Sequence, residues 1–140
     1  MIKNYVSAVR SFNRFYTVFM GILNKTYLNS KYSLPETRVL HATSTKPGIT
    51  STEIIDMLKI DKSYLSRMID SLEKRKLLTR KKSKDDGRAF NLFLTSFGTK
   101  EFYKINDATN NQIENLLKNI SESNCKKLIK NMAEIESILS

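Results

Sequence analysis

The chain has one cysteine, two prolines and four glycines in 140 residues. A single thiol, Cys125, excludes an intramolecular disulfide framework and fits a reducing cytosol. The scarcity of proline and glycine leaves few helix breakers and points to a mostly helical globular chain. No long apolar run is present. The longest uncharged stretch near the N-terminus, Phe15 to Asn24, lies between Arg14 and Lys25 and is too short to span a bilayer. It lacks a small-residue cleavage site, so neither a signal peptide nor a membrane partner is expected, and the expected location is cytoplasmic. Catalytic chemistry is equally thin. The one histidine, His41, falls beside Leu40 in a predicted helix, where a structural role suffices. Cys125 has no nearby histidine and lies on an apolar stripe. No His, Cys, Asp or Glu residues share convincing metal-ligand spacing, and there is no glycine-rich phosphate loop. No catalytic residue, metal or cofactor is expected.

What the chain has in plenty is positive charge, and it is unevenly spread. The net charge is +10. Residues 1–58 hold seven Lys/Arg against three Asp/Glu, a balance of +4. Residues 59–88 hold eleven against five, +6, and residues 89–140 hold six against six, zero. A basic patch on a compact domain is the usual electrostatic footprint of nucleic-acid binding, although a lysine-rich solvated surface would look similar.

Apolar spacing and capping residues predict the elements. Tyr5, Val6, Val9, Phe12, Tyr16, Phe19, Met20, Leu23 and Tyr27 recur at helical intervals and predict one long helix over residues 4–28. Ser33-Leu34-Pro35-Glu36 is a capping box with proline in the first turn, opening a helix to about Ser44. After the turn Lys46-Pro47-Gly48, a second capping box, Thr50 to Glu53, opens a short helix with Ile54, Ile55 and Leu58 inward. Asp61 caps a third, Lys62 to Lys76, with Leu65, Met68, Ile69 and Leu72 inward. The last two helices and the link Lys59-Ile60-Asp61 make a helix-turn-helix. The outward face of its second helix carries Lys62, Ser63, Tyr64, Ser66, Arg67, Asp70, Ser71 and Lys74. Hydroxyls, an aromatic ring and Arg67 gather in the first two turns, where a recognition helix reads base edges.

A hairpin follows. Leu77 to Ser83 and Ala89 to Thr95 read as its strands, with Gly87 in the turn and Phe90, Leu92 and Leu94 on one side. Its basic residues are Arg80, Lys81, Lys82, Lys84 and Arg88. Such a hairpin after a helix-turn-helix is a wing, whose tip can lie along phosphates or enter the minor groove. Asp86, two residues before Arg88, is placed to pair with the guanidinium and fix its orientation.

The run from Leu34 to Gly98 resembles the DNA-binding domain of MarR-type transcriptional regulators. The resemblance is carried by "LPETRVL", "ITSTEIIDMLKIDKSYLSRMIDSLEKRKLLTRKKSKDDGR" and "LFLTSFG". The family's Asp-x-Arg and Leu-Thr-x-x-Gly patterns stand here as Asp86-Gly87-Arg88 and Leu94-Thr95-Ser96-Phe97-Gly98. One position departs. Lys76 stands where the family usually has glycine, so a left-handed C-cap there is lost or strained. Helices predicted from Ser96 to about Lys118, and from Ser121 through Cys125, Leu128, Ile129, Met132, Ile135 and Leu139, extend the match over nearly the whole chain.

The expected fold is mostly α: a winged helix-turn-helix with a two-stranded wing, flanked by long N- and C-terminal dimerisation helices. Residues 1–32 form the N-terminal dimerisation helix, 33–98 the winged domain and 99–140 the C-terminal dimerisation helices. The resemblance implies a homodimeric repressor that binds a pseudo-palindromic site on double-stranded DNA. Ser63, Tyr64, Ser66 and Arg67 would face bases and Arg88 the minor groove. Lys62, Lys74, Arg80, Lys81, Lys82 and Lys84 would supply charge to the backbone. It also implies a small aromatic effector held between the dimer helices and the winged domain. Tyr5, Phe12, Tyr16, Phe19 and Tyr27 are candidates for that pocket, though their helical spacing makes them core residues first. The other classes are a winged-helix protein-interaction module and a nucleic-acid enzyme or its accessory subunit.

Overall fold

The computed structural model of the chain describes residues 1–21, 27–85 and 87–140. Helix α1 spans Ile2–Met20, shorter than the predicted helix over 4–28. Gly21 ends it in the left-handed conformation, φ 69°, and its N–H turns back to the Val18 carbonyl. A residue without Cβ takes that conformation at little cost, so the apolar pattern overran a stop. Leu23 lies outside the described residues. Tyr27 belongs to a short 3-10 turn and is buried in the core instead.

Helix α2, Leu34–Thr45, starts on a complete capping box. Ser33 Oγ accepts from the Glu36 N–H at 3.3 Å, and the Ser33 N–H donates to Glu36 Oε1 at 3.0 Å. Helix α3, Ser51–Leu58, is capped by Thr50, and α4, Lys62–Lys74, by Asp61, which accepts from the Tyr64 N–H at 3.0 Å. The four residues expected to face inward from α4, Leu65, Met68, Ile69 and Leu72, are all buried. They pack with Val39, Leu40, Ile54, Leu77, Leu78 and Leu92 into one core.

Strands β2 (Leu78–Lys82) and β3 (Phe90–Leu94) form the antiparallel wing. A third strand, β1 (Ile49–Thr50), joins the other edge of β3, giving the order β1-β3-β2. Gly48 sets it up at φ 88°, donating its N–H to the Leu92 carbonyl at 2.8 Å. Two residues carry no periodicity, so this strand had no signal in the sequence.

The end of α4 answers the question raised by Lys76. The Lys76 N–H bonds the Glu73 carbonyl and the Leu77 N–H bonds the Leu72 carbonyl, both at 2.9 Å. Those two bonds are the Schellman closure, and Lys76 adopts φ 63° to make it. The left-handed cap is kept, with a side chain in a conformation that costs an L-residue about 1–2 kcal/mol. Lys76→Gly should therefore stabilise the fold by about 0.5–1 kcal/mol after the added freedom of the unfolded chain is subtracted. Urea unfolding should show a higher midpoint with the slope unchanged.

Beyond the wing, helix α5 spans Ser96–Leu117 and α6 Glu122–Leu139. The chain divides into two units, residues 1–105 and 106–140. In the first, α1 buries no residue, and Ile2, Tyr5, Val9, Phe12 and Phe15 are exposed. In the second, α6 exposes Ile129, Met132, Ile135, Ile138 and Leu139, while Cys125 is half-buried. Among the described residues no helix is long and apolar enough to cross a membrane.

Candidate nucleic-acid interface

Burial of one stripe of α4 leaves the other in solvent. Lys62, Ser63, Tyr64, Ser66, Arg67 and Lys74 are all exposed on it. Asp61, by capping the helix, fixes where its first turn begins and so where Ser63 and Tyr64 stand. Arg67 lies between two open grooves. One is bounded by Ser33, Glu36, Tyr64 and Arg75, the other by Asp70, Glu73 and Lys74.

The wing presents Lys81, Lys82, Lys84 and Arg88 to solvent. The Lys81 ammonium sits 4.9 Å from the centre of the Phe93 ring, a cation–π contact that steadies its stem. Asp86 lies outside the described residues, and with it the pairing expected for Arg88. Arg80 differs from its neighbours. It turns back onto α4, ion-paired to Asp70 Oδ1, with Nε 3.5 Å from Glu73 Oε2. Its side chain is only 28% exposed. The pair ties strand β2 to α4 and neutralises an acid on that helix's outer face.

Three residues that sequence reasoning missed gather behind α4. Arg75, its C-cap, is ion-paired to Glu36 Oε2 and lies 5.6 Å from the centre of the Tyr32 ring. The Tyr32 hydroxyl donates to Glu101 Oε2 at 3.0 Å. Burial first, and then Glu101, pushes the Tyr32 hydroxyl up to about 12. Burial would raise Glu101, but hydrogen bonds from Tyr32 and Lys104 outweigh it and hold the carboxyl below its ordinary range. Nothing in local spacing announces a contact between residues 69 apart.

Of the effector candidates, Tyr5, Phe12, Tyr16 and Phe19 are on α1, while Tyr27 is buried in the core. Phe12 and Tyr16 stack with ring centres 5.6 Å apart, and Tyr16 and Phe19 at 5.8 Å. Tyr5, Phe12 and Phe19 are exposed and Tyr16 is half-buried, so none of these four is a core residue within this chain. His41 is exposed, its ring 6.0 Å from that of Phe102. Among the described residues no group of three or more His, Cys, Asp or Glu could hold a metal ion.

A helix-turn-helix followed by a wing defines the winged-helix fold. The model of the MarR family matches residues 31–89. No curated protein sequence matches the chain. Solved structures of bacterial regulators share the fold at low identity. FabT from Streptococcus pneumoniae, in complex with DNA, is 17% identical with a TM-score of 0.80, over 96% of each chain. A mutant MarR from E. coli, complexed with operator DNA, is 20% identical with a TM-score of 0.78, over 96% of this chain and 97% of that one. The PcaV regulator from Streptomyces coelicolor, in complex with its natural ligand, is 17% identical with a TM-score of 0.72, over 91% of this chain and 90% of that one.

Proposed function

We propose that the chain is a homodimeric transcriptional regulator, a repressor, that binds a pseudo-palindromic site on double-stranded DNA. The observation that carries this reading is the exposed face of α4, with Lys62, Ser63, Tyr64, Ser66, Arg67 and Lys74, standing beside a wing that exposes Lys81, Lys82, Lys84 and Arg88. Ser63, Tyr64, Ser66 and Arg67 contact base edges in the major groove. Lys62, Lys74, Lys81, Lys82 and Lys84 meet phosphate, and Arg88 meets the minor groove or its flanking backbone. Arg80 holds the wing against α4. The apolar side chains left uncovered on α1 and on α6 support dimerisation through residues 1–32 and 99–140, because monomers rarely leave such surfaces open. The aromatic ladder on α1 makes an aromatic effector bound beneath it, and release from DNA on its binding, the accompanying proposal. The site of action is the cytoplasm.

Selection of bound duplexes from a random pool tests the core of this. An inverted repeat should emerge, with half-sites about one helical turn apart. Recovery of no motif would remove sequence-specific reading, and a lone half-site would remove the symmetric dimer. On the selected duplex, Arg67→Ala should cost about 1–3 kcal/mol and relax preference at one or two base pairs. Arg88→Ala should weaken cognate and scrambled duplexes by similar factors. The reverse pattern in titrations at fixed salt would assign reading to the wing.

A further inference from the structure

Tyr32 and Glu101 are buried residues, at 4% and 8% exposure. Glu101 Oε2 accepts from the Tyr32 hydroxyl at 3.0 Å, and Oε1 accepts from Lys104 Nζ at 3.2 Å. The Tyr32 backbone is itself pinned, its carbonyl accepting from the Tyr27 N–H at 2.8 Å. Arg75 lies across the Tyr32 ring and closes on Glu36, whose other oxygen completes the capping box of α2. The chain of contacts therefore runs from α5 through Tyr32 to the C-cap of α4 and on to the first turn of α2.

We propose that Tyr32 and Glu101 are positioning residues that set how the C-terminal turn of α4, and with it the reading face, is held in the winged domain. The inference rests on the reading of α4 as the helix that contacts DNA. Apolar packing of Leu65, Met68, Ile69 and Leu72 is non-directional and tolerates small rolls and slides of the helix. A buried hydrogen bond to a charged acceptor is directional and roughly twice as strong as a neutral one. The Tyr32 hydroxyl keeps its proton well above neutral pH, and Glu101 keeps its charge, so donor and acceptor are fixed. With the ring held in place, Arg75 loses much of its rotamer freedom, and the turn that it caps is held with it.

The test uses the full chain and its Tyr32→Phe and Tyr32→Phe/Glu101→Gln variants. Tyr32→Phe keeps the ring under Arg75 but leaves a buried carboxylate without its tyrosine. The double variant removes that orphaned charge, so overall stability recovers toward wild type. Hydrogen exchange at the amides of Arg75, Lys76 and Leu77, which close the helix, is the local readout. In both variants it should rise by about tenfold, with β3 amides unchanged in the double variant. Affinity for the selected duplex should fall by about tenfold while a scrambled duplex binds as before. If the double variant shows wild-type exchange at those three amides, or only a uniform rise across the domain, the two residues are packing groups and the proposal is overturned. Wild-type protein with no duplex preference would defeat the DNA reading instead, and the exchange data would still decide the positioning.

Discussion

Gly98→Ala should cost about 3 kcal/mol or more of folding stability and lower the melting temperature by about 10 °C, although it adds one methyl to a helix. The reason is the approach of α5 to the end of α4. A Cβ at residue 98 would stand 2.9 Å from the Leu77 carbonyl carbon and closer still to its oxygen. Both walls of the clash are backbone, so no rotamer change relieves it. Leu77 cannot retreat, because its side chain is fully buried, its N–H closes α4 on the Leu72 carbonyl, and its carbonyl accepts from the Thr95 N–H at 3.1 Å. Nor can α5 lift away cheaply. Thr95 Oγ1 donates to the Lys76 carbonyl at 2.6 Å and accepts from the Gly98 N–H at 2.9 Å, so its hydroxyl links the end of α4 to the start of α5. The higher helix propensity of alanine, about 1 kcal/mol, does not offset this. Thermal unfolding of Gly98→Ala beside Ser96→Ala is the measurement. Ser96 is exposed two residues away, and its replacement should stay within about 0.5 kcal/mol of wild type. Equal, small effects in the two variants would mean that α5 can shift freely against Leu77.

The Leu-Thr-x-x-Gly pattern was thus legible as a motif while its purpose was not. The same division runs through the molecule. Signals contained within one element were readable: the capping box at Ser33, the side-chain cap at Thr50 (though Glu53 does not reach back to complete a box), the stripe Leu65, Met68, Ile69 and Leu72, and the hairpin with Leu92 inward. Each is a local hydrogen bond or a periodicity, and local rules predict those. Features set by pairing across the chain were not. Strand β1 exists because β3 offers a free edge to Ile49 and Thr50. Arg80 looked like one more wing cation, and only the fold brings Asp70 and Glu73 beneath it. The aromatic stripe of α1 shows a third kind of gap. Periodicity says that a face is apolar and does not say what covers it, and within this chain that face is left exposed.

Raising the salt from 50 to 200 mM should weaken duplex binding by about 10⁴-fold, the largest single effect expected of this protein. The exposed cations on the α4 face and wing are Lys62, Arg67, Lys74, Lys81, Lys82, Lys84 and Arg88. Not all reach phosphate at once. With about four contacts from each winged domain, a dimer neutralises about eight phosphates, and log K falls with log salt at a slope of about −7. The slope also counts chains. Lys82→Ala removes one contact per protomer, so a dimer should lose about 1.8 from the slope and a monomer about 0.9. Arg80→Ala supplies the contrast. Its guanidinium is held by Asp70 and Glu73, so its loss should leave the slope unchanged while lowering affinity by freeing the wing. Titrations of a fixed duplex at four or five salt concentrations separate these outcomes. A slope near zero would show that the basic surface is not the contact surface. If Arg80→Ala flattens the slope as much as Lys82→Ala does, Arg80 leaves its ion pairs to meet the backbone, and its role as a clamp is wrong.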